Sequence, residues 1–591
     1  MTAAPFAERD RFRLWAAAAI VVVAALAYAN AVANGFVVDD IGVIARNPLV
    51  HSLSGVWRAF VHPYWPEDMG GGQYRPLAVA SFALDWAISG GDPRWFHLVN
   101  VLWHVATCLV LWLLLSRLLS PMGALLGALV FAVHPVHVEA VANTVGRLEL
   151  MAAFFVLGAL ILHRDRSRWA PLAFTLGLLS KENAVVFLGV AAAHDLLLAG
   201  DPRQAFRDRR WLYAVYGAVA AAYAVVLAAL FHGQEFVVPA ATWYGASTGQ
   251  RLLTVATIIP HYARLLFVPF SLSADYTPRV IELARGWSPL ALLGVAIVAL
   301  AVVAVARSWR RAPVLAFAIV FFAVTISPVS NVLFPSGVVL AERTLYLPSV
   351  TLALLAGLAA ERLAARDARV VLPAAAVVLT AFAVRTWTRT PVWRSNRALF
   401  VTLVQQHPES YRAHQALGRV LAGMGRWPDA AREYRIARSL FDRDGYLYRE
   451  SAEAALQLGD APRASALLDS AVALLPGYGV AWLRRADTRY RLGDYAGARV
   501  SARRAWALLP DSARAILVVA LSAQRQGALA AADSAYREGL AHHPESWELH
   551  AGYADLLAAR GDTAAAVGEG RHADAIRGRM MTRVTPGSAI H

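Results

Sequence analysis

The 591-residue chain is 58% hydrophobic and 16% charged, with a mean hydropathy of +0.46, against the roughly 25% charge usual in soluble proteins. The apolar excess fills residues 14 to 385 and leaves the C-terminal third looking soluble, which excludes one soluble globular domain and implies two domains in different solvents. The net charge of +15 sits in short loops between apolar runs and in the C-terminal helices, with no zinc-finger or RNA-binding signature, and the single Cys108 excludes an intrachain disulfide.

Arg9, Arg11 and Arg13 precede an apolar run from Leu14 to about Ala33 with no small-residue cleavage site after it. The pattern predicts a signal anchor. The run ends in Asn34-Gly35-Phe36-Val37-Val38-Asp39-Asp40, which places two adjacent carboxylates where a first membrane helix reaches the far surface. The plain alternative is that the pair caps a small loop helix. The loop continues through Trp57 and Phe60, which suit a helix lying on the membrane surface. It then passes "MGGGQ" (Met69 to Gln73), read as a flexible loop and not a phosphate cradle, and reaches Arg75 just before an apolar run.

Further apolar runs lie near 97–119, 121–140, 148–163, 169–181, 184–199, 211–231, 288–306, 312–330, 348–364 and 369–385, which makes about eleven spans with the first. If the N-terminus is cytoplasmic, alternation puts the basic clusters around Arg117, Arg164–Arg168, Arg203–Arg210, Arg307–Arg311 and Arg362–Arg369 on the inside. This requires 251–270, with Arg251, His261 and Arg264, to lie at the interface without crossing.

The same alternation gathers the unusual polar residues on the outer face. They are Asp39 and Asp40, Arg75, His134, His137, Glu139, Arg147, Glu149, Lys181, Glu182, Glu342 and Arg343. Ionisable groups at membrane depth are costly and mark candidate sites. His134, His137 and Glu139 could supply three metal ligands, but Pro135 interrupts them and the HExxH helix spacing is absent, so no metal site is expected. Arg75 stands either where a phosphate head group would lie or as a membrane anchor or structural partner of a carboxylate, and Arg343 suits forked hydrogen bonds to a lipid phosphate. Lys181 either meets a phosphate or pairs with Glu182, and Glu342 and Arg343 could equally contact each other.

The C-terminal third carries the clearest period. Gly425, Gly459, Gly493, Gly527 and Gly561 stand 34 residues apart, and Pro476, Pro510 and Pro544 keep the same spacing. A 34-residue helix–turn–helix period is the tetratricopeptide signature. The expected organisation is a membrane domain over 1–390, a linker over 391–409, about five repeats over 410–577, and a disordered tail over 578–591.

"NGFVVDD", "YRPL", "HPVHVEAVA", "GRLELMAA", "LLSKE" and "AERTLYLPS" occur in this order before the repeats. The ordered set resembles the transmembrane and tetratricopeptide repeat-containing proteins, GT-C glycosyltransferases related to protein O-mannosyltransferases. The resemblance implies an all-α protein, a polytopic GT-C membrane domain followed by an α-solenoid. It implies transfer of a sugar, mannose by analogy, from a polyprenyl phosphate to a hydroxyl of a protein Ser or Thr on the outer face. An acidic residue of the first outer loop would be the base, matching Asp39 or Asp40. Arg75, His134, His137, Glu139, Arg147, Lys181, Glu342 and Arg343 would bind substrate. No cofactor is expected. The expected partners are the lipid-linked sugar, an acceptor polypeptide held by the repeats, and membrane lipid, but no nucleic acid. The Ala- and Arg-rich composition suggests a bacterial inner membrane, with the repeats on the periplasmic side. The competing reading is a non-catalytic membrane scaffold that recruits partners through its repeats.

Overall fold

The structure, a computed structural model, describes residues 6–66, 72–231, 240–243, 245–276 and 280–583. Met69 to Gly71 of the expected flexible loop, and 232–239 and 277–279 of the outer stretch after residue 231, lie outside the described residues. The chain divides into two units, Met1–Glu409 and Ser410–His591.

The first unit contains, among its described residues, fourteen helices of ten residues or more. They are α1 (Phe6–Ala27), α2 (Pro76–Ser89), α3 (Pro93–Leu115), α4 (Pro121–Ala132), α5 (Arg147–Arg164), α6 (Ala170–Ser180), α7 (Phe187–Leu198), α8 (Arg210–Leu230), α9 (Thr248–Phe267), α10 (Pro289–Ser308), α11 (Pro313–Ile326), α12 (Val350–Arg366), α13 (Val371–Arg389) and α14 (Asn396–Gln406). Proline opens α2, α3, α4, α10 and α11, where its missing N–H costs nothing. Side chains cap several starts: Ser120 accepts from Gly123 N, Ser288 from Ala291 N, and Ser247 and Gln250 form a reciprocal box.

Each of the eleven expected spans finds a helix, but the count of eleven crossings is corrected. Among the described residues, six helices are long and apolar enough to cross a bilayer by length and composition, or seven if Pro121–Ala132 and Pro135–Ala142, bent by 46°, form one broken span. At 1.5 Å per residue, α6 and α7 (11 and 12 residues) reach only about 17 Å, against a hydrocarbon core of about 30 Å. Helix α9, predicted not to span, is 20 residues long with Pro260 inside it and is not among the candidate spans. Helix α10 is apolar all round and exposes Leu292, Leu293, Leu300 and Val302, as a lipid-facing helix would.

Helices α4 and α12 approach closely because small residues line the contact. A Cβ at Gly127 would sit 2.4 Å from the Ala353 carbonyl oxygen, and one at Gly357 would sit 2.7 Å from that of Gly123. Gly123 and Gly127 thus form the small-residue seam that lets membrane helices touch backbone to backbone.

The helix ends sort by chemistry. One set of ends joins Arg117 to Asp165 (2.7 Å) and Arg166 to Asp208 (2.9 Å). The opposite ends of α1, α2, α5, α6 and α13 bring together the 34–40 loop, Arg75, Glu149, Lys181 and the 390–396 turn.

The second unit is five helix pairs: Tyr411–Gly423 with Trp427–Leu440, Gly445–Gln457 with Ala461–Leu474, Gly479–Arg491 with Tyr495–Leu508, Ala513–Arg525 with Leu529–His542, and Trp547–Ala559 with Thr563–Arg583. The five periodic glycines all stand in the turn within a pair, at φ between 72° and 83°. A side chain there would be strained, so glycine marks the turn. Asp460, Asp494 and Asp562 then cap the second helix of their pairs. Buried alanines such as Ala464, Ala471, Ala498 and Ala505 let the paired helices pack closely. The last helix continues through Arg583, past residue 578 where a disordered tail was expected. Residues 584–591 lie outside the described residues.

Candidate active site

The two adjacent aspartates do different things. Asp40 is fully buried; its Oδ2 accepts from Val37 N (3.0 Å) and its Oδ1 from Val145 N (2.8 Å). It stitches the first loop to the turn that starts α5. Burial pushes its carboxyl up to about 7, against the pull of those N–H donors. Asp39 points elsewhere. It is partly exposed, and among the described residues its carboxylate accepts no hydrogen bond and has no ion-pair partner. Its charged neighbours are Arg343, Glu139 and Arg75. Burial raises its pKa above the ordinary 3.8, the two arginines oppose the rise, and Glu139 adds to it.

Around Asp39 three cations are each matched by one carboxylate. Arg75 makes a forked contact to Glu182, at 2.9 Å through Nε and 2.5 Å through its terminal nitrogen. Lys181 pairs with Glu149, and Arg343 pairs with Glu139, which also accepts the Arg343 backbone N–H at 2.9 Å. Burial alone would raise Glu182, but Arg75 and Lys181 outweigh it and hold the carboxyl at about 2. Lys181 is lowered, first by burial and then by Arg75, against the pull of Glu149 and Glu182. The Arg343 side chain is 32% exposed whereas those of Arg75 and Lys181 are 9% exposed, so Arg343 is the cation open to a ligand. Tyr64, buried, lies under the Arg75 guanidinium at 4.9 Å, with Asp39, Asp40 and Arg343 as further charged neighbours.

Four of the other residues singled out from the sequence do not join this cluster. His134 is buried, with Nε2 2.9 Å from the Leu266 carbonyl, and its Nδ1 accepts from Val136 N at 3.2 Å. His137 meets Ser349 Oγ at 2.7 Å and packs against Phe131 and Tyr346. Arg147 is wholly buried on Asp85, Asn100, Ser81 and the Phe96 carbonyl. Glu342 faces away from its neighbour Arg343. It accepts from Ser273 N at 2.5 Å and Tyr276 OH at 2.7 Å, and burial raises it to about 7.

His134, His137 and Glu139 thus turn to three different partners and do not converge on an ion. The one group of described residues spaced to hold a metal is His163, His194 and Asp195. It lies at the far end of α5, and Arg209 already stands 3.3 Å from Asp195.

Glu149 and Glu182 were expected on the outer face but not among the residues that bind substrate, and Tyr64 was not singled out at all. For Tyr64 the sequence carries no signal. For the Lys181–Glu149 pair it did: Lys181 is the only lysine among 56 basic residues. A chain that otherwise uses arginine has a compact ammonium at this buried position, a point charge with a different hydrogen-bonding geometry from a planar guanidinium.

The family described as dolichyl-phosphate-mannose-protein mannosyltransferase matches residues 76–230. A protein O-mannosyl-transferase of Caenorhabditis elegans is 27% identical over 420 residues, covering 69% of this chain and 60% of the relative. The protein O-mannosyl-transferase TMTC3 of Homo sapiens is 25% identical over 502 residues, covering 71% and 54%. The chain therefore spans little more than half the length of these relatives. A shorter stretch of 295 residues is 35% identical to the Tmtc2 protein of Drosophila melanogaster, covering 43% of this chain and 30% of that one. Among solved structures, MamA aligns over 28% of this chain and 97% of its own, at 17% identity and a TM-score of 0.27. YrrB, a TPR protein with an unusual peptide-binding site, aligns over 31% and 94%, at 15% identity and a TM-score of 0.29. The likeness carried by the ordered motifs is borne out by the curated relatives.

Proposed function

We propose, from this chain's likeness to the protein O-mannosyl-transferases, that it transfers mannose from a polyprenyl phosphate to a Ser or Thr hydroxyl on the outer face of the membrane. The carrying observation is that, among the described residues, Asp39 is the one carboxylate of the polar cluster without a hydrogen-bond or ion-pair partner, and that Arg343 and Arg75 are among its charged neighbours. Asp39 takes the hydroxyl proton as the oxygen attacks the anomeric carbon. The bond from that carbon to the phosphate oxygen breaks with inversion, and the phosphate leaves as a monoester. One negative charge disappears from Asp39 and one appears on the leaving phosphate. Arg343, half-open, receives it first, and Arg75 and Lys181 stand behind. The raised pKa of Asp39 makes it a stronger base than an ordinary carboxylate. The polyprenyl-phosphate sugar is already activated, so no nucleotide cofactor enters. In this reading His134, His137, Arg147 and Glu342 hold the scaffold, and the repeats receive the acceptor polypeptide.

The purified protein is expected to move radiolabel from polyprenyl-phosphate mannose to a Ser/Thr-rich acceptor mixture, with the anomeric configuration inverted and the rate unchanged by a chelator. Retention of configuration would overturn the single displacement, and absence of transfer would overturn the reading of donor and acceptor.

The pH profile follows from the same group. Asp39 works only when ionised, and its pKa lies above 3.8. kcat/KM is therefore expected to fall as pH drops through that raised value, placing its acid limb above the range of a free aspartate. A limb at or below that range would remove Asp39 from the base role.

A further inference from the structure

The loop that carries Asp39 is held along its length by the last part of the membrane half. Asn30 Nδ2 donates to the Trp387 carbonyl at 2.9 Å, Asn34 Nδ2 to that of Thr390 at 3.5 Å, and Gly35 N to that of Arg394 at 3.0 Å. The fourth contact is the telling one. Val38 N donates to Asn396 Oδ1 at 2.8 Å, across 358 positions of sequence.

Val38 needs that contact. Its φ is +47°, a conformation that a β-branched residue holds only when its surroundings impose it. Two consecutive N–H groups are fixed here, Val37 by Asp40 Oδ2 and Val38 by Asn396 Oδ1. Together they turn the chain so that the next two carboxylates diverge, Asp40 to the N–H groups of Val37 and Val145 and Asp39 to the charged surroundings of Arg343, Glu139 and Arg75. Asn396 has no competing duty at the start of α14, because Ser395 already caps that helix through Ala398 N at 3.2 Å.

We infer that Asn396 is a positioning residue for the reaction proposed above, holding Val38 in its left-handed turn and thereby aiming the Asp39 carboxylate. The inference rests on that reading of Asp39. Without the acceptor, Val38 relaxes toward an ordinary negative φ and the carboxylate swings out of line, while the cations that meet the phosphate stay in place. The effect is thus on turnover and not on donor binding.

The test uses the full-length protein as wild type, Asn396→Ala and Asn396→Asp, with two readouts. Amide hydrogen exchange is followed at Val38, and kcat and KM are measured for polyprenyl-phosphate mannose. Asn396→Ala is expected to expose the Val38 amide to faster exchange. It is also expected to lower kcat by about 10- to 100-fold, the scale of a misaligned reacting group, with KM for the donor within about twofold. Asn396→Asp keeps the acceptor oxygen and is expected to retain both protection and kcat. Unchanged exchange in Asn396→Ala overturns the inference, as does an unchanged kcat in an active preparation. If Asn396→Asp falls as far as Asn396→Ala, the side-chain acceptor is not what matters and the inference is also overturned. Failure of the wild type to transfer defeats the proposed reaction, and the exchange readout then decides the strap by itself.

Discussion

Asp39→Asn is expected to lower kcat by about 10²- to 10⁴-fold, the contribution of a positioned base, with no loss of thermal stability. The amide keeps the shape of the side chain and cannot take a proton. Among the described residues Asp39 has no hydrogen-bond or ion-pair partner to lose, and burial disfavours its charged form, so the neutral amide does not weaken the fold. Asp40→Asn is expected to do the reverse. Asp40 uses one oxygen for Val37 N and the other for Val145 N. An asparagine offers one oxygen and sets an NH₂ against the second N–H. The buried mismatch costs about 1–3 kcal/mol, read as a lower midpoint of unfolding in detergent. What activity remains in Asp40→Asn should scale with the fraction folded. If Asp40→Asn abolished turnover in a fully folded protein while Asp39→Asn retained it, the two roles would be exchanged.

The largest effect on stability is expected at Arg147. Its guanidinium is fully buried and makes contacts in several directions: Asp85 at 2.5 Å, Asn100 Oδ1 at 2.8 Å, the Phe96 carbonyl at 2.9 Å, Ser81 Oγ at 3.2 Å and the face of Phe82 at 4.8 Å. Arg147→Ala leaves the Asp85 carboxylate buried with only Trp95 Nε1, at 3.1 Å, to stabilise it. Removing one partner of such a pair costs about 3–5 kcal/mol. Arg147→Lys is expected to recover little, because an ammonium cannot reproduce the fork. Arg147→Met combined with Asp85→Leu should be far milder than Arg147→Ala, since it removes both charges together. Unfolding midpoints of the three variants in detergent check this. If Arg147→Ala proved as stable as wild type, the clamp would be incidental.

The position of each helix could be read from the sequence, because apolar runs and a 34-residue period are local signals. All eleven expected spans have their helix, and the five periodic glycines all occupy a left-handed turn. What failed was converting a run into a crossing: α4, α6, α7, α11 and α12, of 12, 11, 12, 14 and 17 residues, are apolar but short of the length a straight crossing needs. The candidate site was readable as a set of residues and not as a wiring. Arg343 was weighed against its neighbour Glu342 and Lys181 against Glu182, yet their partners are Glu139 and Glu149, 204 and 32 positions away. Partner choice is decided by which helix ends meet, which no short window contains. The roles of Asp39 and Asp40 were likewise undecidable in sequence, since one of the two N–H groups that occupy Asp40, that of Val145, is presented by a turn 105 positions on.

The 358 positions between Val38 and Asn396 also set an order of events during biosynthesis. The loop bearing the base is among the first segments to leave the ribosome, and its tether is nearly the last part of the membrane half to be made. At 5–20 residues per second, the interval is about 20–70 s. During that time the nascent membrane half holds an aspartate that nothing aims. In the reading proposed above, the loop is aimed only when the chain beyond the last membrane helix folds back onto it, so an unfinished chain would react with the hydroxyls around it about 10- to 100-fold more slowly than the finished one.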